Sequence, residues 1–173
     1  LKQVDLIITQ GFIGATDENN STTLGREGSD YTAALLGSFL GATSVSIWKD
    51  VEGLLNADPR IFSETIKIPE ISFYEVIEMA YYGAQVIHPK TIKPLRNAGI
   101  PLYVKCFLDK DLPGTVIKEK VETPYPPIIV LKRNQVLIQM ISKEYDFVTE
   151  ELVGAIYKIF AKHRVKINIM QKA

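Results

Sequence analysis

Cysteine is nearly absent from this 173-residue chain, neither charge sign is in excess, and no apolar run reaches membrane-spanning length. A lone Cys106 excludes an intramolecular disulfide and fits a reducing, cytoplasmic setting. It sits in the apolar run Leu102-Tyr103-Val104-Lys105-Cys106-Phe107, which reads as a buried structural thiol rather than a nucleophile. Twenty basic residues balance twenty acidic ones with no Lys/Arg block, which argues against nucleic acid as the main partner. Without a long apolar run or a leader-like opening, neither a membrane span nor a signal peptide is expected. Hydrophobic residues make up 46% of the chain, enough for a real core.

What is present is concentrated near the start. Thr22-Thr23-Leu24-Gly25-Arg26-Glu27-Gly28-Ser29-Asp30 carries two glycines, three hydroxyls, an arginine and two carboxylates just before an amphipathic stretch. Helical spacing puts Thr32, Leu35, Leu36, Phe39 and Leu40 on one face, predicting a buried helix over 30–41 capped by Ser29 or Asp30. The positive end of such a helix is a natural seat for an anion, and glycines let the backbone come close.

Val4 to Thr9 reads as a mostly buried strand that runs into a glycine turn at Gly11-Phe12-Ile13-Gly14, and Asp17 to Ser21 as the tip of a hairpin-like excursion. Val45 and Ile47 alternate with serines, so strand, helix and strand suggest a βαβ unit and a parallel sheet. Ser72 with Glu75 forms a capping box, Ile71 and Val76 a staple, and Gly83 a C-cap, around a face of Phe73, Ile77, Ala80 and Tyr81. A short helix follows Pro89 and ends at Asn97-Ala98-Gly99, weakened by Pro94. Strands are expected over Ile100–Phe107 and Thr115–Lys118, separated by the turn Leu112-Pro113-Gly114. Three prolines within Pro124-Tyr125-Pro126-Pro127 break the pattern and mark a domain boundary. Beyond it, Gln135–Ile141 and Val165–Met170 alternate as strands, around a helix capped by Thr149 with a core face of Val153, Ile156, Tyr157 and Phe160.

Thr-Thr-Leu-Gly-Arg-x-Gly-Ser-Asp-Tyr-Thr-Ala-Ala closely resembles the substrate loop of aspartate kinases, members of the amino-acid kinase superfamily. The resemblance continues, in the family's order, through Gly11-Phe12-Ile13-Gly14, Ile47-Trp48-Lys49-Asp50-Val51, Ala57-Asp58-Pro59-Arg60 and Gly83-Ala84-Gln85-Val86-Ile87-His88-Pro89. It implies an α/β fold, a mainly parallel sheet sandwiched by helices. Residues 1–118 would be the C-terminal, nucleotide-binding half of the kinase domain, 119–127 a proline-rich linker, and 128–173 an incomplete βαββαβ ACT-like regulatory domain. The implied reaction is transfer of the ATP γ-phosphoryl group to the side-chain carboxylate of L-aspartate, with Mg²⁺, on the route to lysine, threonine and methionine.

By the same resemblance Phe12, Arg26, Glu27, Gly28 and Ser29 would contact aspartate, and Lys49, Asp50, Leu55, Arg60 and Gln85 the nucleotide. Asp30 is either a helix cap or an organiser of the phosphate and metal region, and the two are compatible. Met140, Lys143 and Asn168 would face an effector amino acid, lysine or threonine, in a homo-oligomer joined through ACT domains. No protein metal site is expected. Glu27 departs from the family's usual glycine, and a carboxylate there would repel an anionic substrate unless it turns away. Thr, Tyr and Lys are usual in the family where this chain has Lys49, Leu55 and Gln85.

The lysine- and glycine-bearing segment that opens these kinases has no counterpart here, so a fragment inactive by itself is expected. Acceptor carboxylates are already ionised near neutral pH, so His88 reads as structural rather than as a general base, and Trp48 as core. His163 suits a helix C-terminus. Another superfamily member with a different acyl acceptor, or a non-catalytic amino-acid-sensing subunit, are the rival readings.

Overall fold

The computed structural model describes residues 5–141 and 147–171 and divides into two compact units, one up to Arg133 and one from Asn134. In the first, strands β1 (Ile13–Ala15) and β2 (Ser21–Thr23) form an antiparallel hairpin, with the polar tip at 16–20 closed by Thr16–Asn20 backbone bonds. Helix α1 (Gly28–Leu40) follows, then β3 (Val45–Lys49) and the short antiparallel pair β4 (Leu54–Leu55) and β5 (Lys67–Ile68). Next come β6 (Glu70–Ser72), α2 (Phe73–Tyr82), α3 (Pro89–Ala98), β7 (Leu102–Cys106) and β8 (Thr115–Lys118). The main sheet has the order β3-β7-β8-β6, with β3/β7 and β6/β8 parallel and the β7/β8 hairpin antiparallel. The β7–β8 turn needs its glycine, because Gly114 has φ 73° and a Cβ there would lie 2.2 Å from the Val104 carbonyl oxygen.

Local chemistry sets the helices as expected in two places. Ser72 Oγ accepts the Glu75 N–H at 3.1 Å and Gly83 closes α2, while Ile71, Phe73, Val76 and Met79 are buried beneath it. Pro89 opens α3 at its first helical position, and the helix continues through Pro94 in its interior, which can donate no bond to the Lys90 carbonyl.

Elsewhere tertiary packing overrides the pattern. The buried stripe of α1 is Ala34 and Gly37, not the larger Leu36, Phe39 and Leu40; Phe39 is 78% exposed. The helix sits so close to β3 and α3 that a Cβ on Gly37 would fall 2.4 Å from Val45 Cγ2 and 3.6 Å from Leu95 Cδ2, leaving room only for small residues. Neither Ser29 nor Asp30 caps α1: its N-cap is Glu27, with no side-chain cap bond. The expected strand at 4–9 does not form over the described residues 5–10, where Leu6, Ile7 and Ile8 are exposed and lack a partner strand. Trp48 is half-exposed under the Lys105 ammonium, 5.4 Å from the ring centre.

The proline-rich stretch lies with the first unit. Tyr125, Ile128 and Val130 pack on its core, and the Thr123 N–H donates to Glu70 Oε1 at 3.1 Å. Asn56 fastens the same stretch twice, through its side chain to the Pro127 carbonyl and its own carbonyl to the Ile129 N–H. Burial raises the Tyr125 phenol pKa, with the Glu75 charge adding to it.

In the second unit α4 (Glu150–Lys162) starts at Thr149, whose Oγ1 accepts the Leu152 N–H at 3.3 Å. Val153, Ile156 and Phe160 are half-buried; Tyr157 is exposed. Neither alternating segment forms a ladder among the described residues; Asn168 Nδ2 instead donates to Gln135 Oε1, a side-chain bond in place of backbone pairing.

Candidate functional site: the turn before α1 and its surroundings

The turn before α1 is built on close backbone contacts. Phe12 has φ 74°; its N–H donates to Thr32 Oγ1 at 3.0 Å, and that hydroxyl donates to the Gly28 carbonyl at 3.0 Å. The Leu24 N–H returns to the Phe12 carbonyl at 2.8 Å. A Cβ on Gly28 would lie 2.8 Å from Phe12 Cδ2, and one on Gly11 3.2 Å from Ser29 Cα. Phe12, Gly28 and Ser29 are therefore brought together as expected. The Gly28 N–H is used by Gly25 and the Tyr31 N–H by Glu27, whereas those of Ser29 and Asp30 find no acceptor among the described residues. Two free donors at the positive end of a thirteen-residue helix favour an anion.

Arg26 is exposed and has no ion pair among the described residues. Glu27 is left-handed, at φ 54°, the backbone state glycine takes at no steric cost. Its carboxylate turns from the turn and accepts the His88 N–H on Oε2 at 2.7 Å. His88 is the N-cap of α3, and its Nδ1 accepts the Lys90 N–H at 3.1 Å. A pocket of about 280 Å³ is lined by Arg26, Glu27, Gly83, Gln85 and His88, among others. A second void, of about 10 Å³ among Leu54, Val76 and Met79, has space for a water at most.

At the carboxyl end of β3, Lys49 Nζ pairs with Asp30 Oδ2 at 3.0 Å, with both side chains largely buried. This pair ties the first turn of α1 to the strand end where ligands gather in open α/β sheets. Asp50 follows, exposed, and Leu55 is half-buried in β4. Arg60 is engaged by Asp58: Nε to Oδ1 at 3.0 Å, NH2 to Oδ2 at 2.8 Å, and its own N–H to Oδ1 at 2.9 Å. Hydrogen bonds from the guanidinium and the Arg60 N–H hold the Asp58 carboxyl below its usual pKa and raise that of Arg60. Gln85 thus joins the Arg26 side through the pocket, while Lys49, Asp50, Leu55 and Arg60 do not line it. In the second unit Met140 is exposed, Asn168 is half-buried beside Gln135, and Lys143 lies outside the described residues.

Sequence reasoning missed the partner of Glu27. The two residues stand 61 positions apart, and only the unusual carboxylate in a glycine-rich turn hinted that it was engaged elsewhere. It also misses the Thr32 hydroxyl, which helical spacing places on a buried apolar face but which links Phe12 to Gly28.

An open-ended α/β sheet with a free-donor helix start and an unpaired arginine defines a class of anion-handling α/β domains. Within that class, the chain belongs to the amino acid kinase family, whose model matches residues 1–106. It is 40% identical over 168 residues to the lysine-sensitive aspartokinase 3 of Escherichia coli, covering 95% of this chain and 37% of that one. It is 36% identical over 180 residues to the chloroplastic aspartokinase 3 of Arabidopsis thaliana, covering 97% of this chain and 32% of that one. Among solved structures, E. coli aspartokinase III with lysine and aspartate superposes with a TM-score of 0.75 at 40% identity, over 97% of this chain and 38% of that one. The same enzyme with aspartate and ADP gives 0.73 at 38% identity, over the same shares. The chain thus spans about a third of the length of these relatives.

Proposed function

We propose that this chain is part of an aspartate kinase that moves the γ-phosphoryl group of ATP onto the side-chain carboxylate of L-aspartate. The carrying observation is Arg26, exposed and without an ion pair among the described residues, beside the free Ser29 and Asp30 N–H groups. A guanidinium can clamp a carboxylate with two parallel bonds, and the helix start adds two more donors. Phe12 walls this side, and Glu27 contributes through its backbone while its carboxylate is occupied. The solved relative with aspartate and ADP supports both substrates.

In the transfer, a carboxylate oxygen forms the new bond to phosphorus as the bond to the ADP oxygen breaks, with no proton to remove. The protein's work is to position the groups and to offset charge. Lys49, held by Asp30, is the cation nearest the strand end, and Asp50, Leu55, Arg60 and Gln85 are assigned to the nucleotide. Mg²⁺ would accompany ATP and offset charge on the transferring phosphate. The second unit, from Asn134 within the 128–173 segment that the resemblance bounds, is assigned to an ACT-like domain that binds an end-product amino acid, lysine in first place, through Met140, Lys143 and Asn168, in a cytoplasmic homo-oligomer. The solved relative with bound lysine supports that assignment.

The test is to supply the full-length protein with ATP, Mg²⁺, aspartate and hydroxylamine, which traps an acyl phosphate as the hydroxamate. Aspartyl hydroxamate, suppressed by lysine, is expected. Turnover with another acyl acceptor and none with aspartate would replace this reading.

A further inference from the structure

The pocket beside the α1 turn is walled by two segments far apart in sequence: Arg26 and Glu27 on one side, Gly83 to Pro89 on the other. One described hydrogen bond joins them side chain to backbone, from the His88 N–H to Glu27 Oε2 at 2.7 Å. We infer that Glu27 is a positioning residue that latches the α2–α3 connection, with Gln85 on it, to the turn that carries Arg26. The inference deepens the kinase reading and rests on it for the identity of the ligands.

Three features support a latch rather than an incidental contact. The residue keeps a strained left-handed backbone that glycine would take freely, at φ 54°. The acceptor is a carboxylate oxygen, and charge-assisted bonds to N–H groups are roughly twice as strong as neutral ones. The N–H it takes belongs to His88, the N-cap of the ten-residue α3, so the carboxylate also lies at the positive end of that helix. With its charge directed there, the carboxylate leaves Arg26 free to meet an anion instead of pairing with it. The turn and the α2–α3 connection then move as one wall, and loosening it weakens both ligands assigned to the pocket's two sides.

The substitution Glu27→Gly separates latch from fold, because it removes the carboxylate while relieving the backbone. Glu27→Gln keeps the acceptor oxygen without the charge. In the full-length protein, Glu27→Gly is expected to raise the exchange rate of the His88 amide about tenfold. It should also raise KM for aspartate and for ATP together by roughly three- to tenfold, with kcat changed less. Glu27→Gln should recover more than half of each effect. Unchanged His88 exchange in folded Glu27→Gly would overturn the latch, as would a KM change confined to one substrate. If the wild-type protein turned over no aspartate, the kinase reading would fall, and His88 exchange would still decide the latch.

Discussion

Two turns carry site residues expected from the sequence, each with one arginine, and they use it in opposite ways. At Arg26 the turn is organised by backbone: Gly28 against Phe12, Thr32 between Phe12 and Gly28, and Glu27 drawn off to His88. That leaves the guanidinium unpaired. At Arg60 the turn is organised by the guanidinium itself, gripped by Asp58 through both oxygens. A cation already serving as a structural strut must give up its partner before it can serve a ligand, so an identical side chain has different worth in the two turns.

The widest separation between the turns comes from removing the free arginine. In the full-length enzyme Arg26→Ala should cost roughly 2–3 kcal/mol, tens- to over a hundredfold in kcat/KM for aspartate, with Arg26→Lys recovering only part. Steady-state kinetics with aspartate varied would check it, and unchanged values in a folded protein would erase the contrast. Next in size, Gly28→Ala places a methyl against Phe12 and Leu24 and should destabilise by about 1–2 kcal/mol, read as a lower thermal midpoint. Arg60→Ala should change KM for ATP by about threefold or less, because its guanidinium is already committed to Asp58; a tenfold rise would show that the pair opens to receive phosphate.

The smallest effect is in the acid range. The folded-state pKa of Asp58 is depressed from its ordinary 3.8, so the pair's stabilisation is present above that value and is lost as pH falls through the lower folded value. A carboxyl-carbon NMR titration should place the Asp58 midpoint below 3.8 in the wild type and move it only part of the way back in Arg60→Ala, where the residue-60 N–H still donates to Oδ1.

What could be read from sequence was what the chain decides locally. Ser72 and Glu75, Thr149, Pro89 and Gly83 act on backbone groups within a few residues, and their helices begin or end where those residues predict. The turn residues Phe12, Gly28 and Ser29 come together because they flank a hairpin and a helix start that are themselves local. Misreadings arose where distant partners decide. Leu36, Phe39 and Leu40 fit a helical face by periodicity, but Val45 and Leu95 press on Ala34 and Gly37 instead. Alternation at 135–141 and 165–170 predicts strands, yet a strand requires a ladder partner that alternation cannot supply. The Lys49–Asp30 and Glu27–His88 contacts join segments that no local pattern relates.

The tight seat of Gly37 against Val45 turns α1 into a lever. Gly37 and Gly28 are nine residues apart on one rigid rod, a reach of roughly 13 Å at about 1.5 Å per residue. A methyl forced into that seat would tilt the rod, and about 5° over that reach displaces its far end by about 1 Å, the scale on which reacting groups lose alignment. The smallest side chain in the helix therefore acts as a fulcrum, and the aim of the Ser29 and Asp30 donors is set at a place no substrate touches.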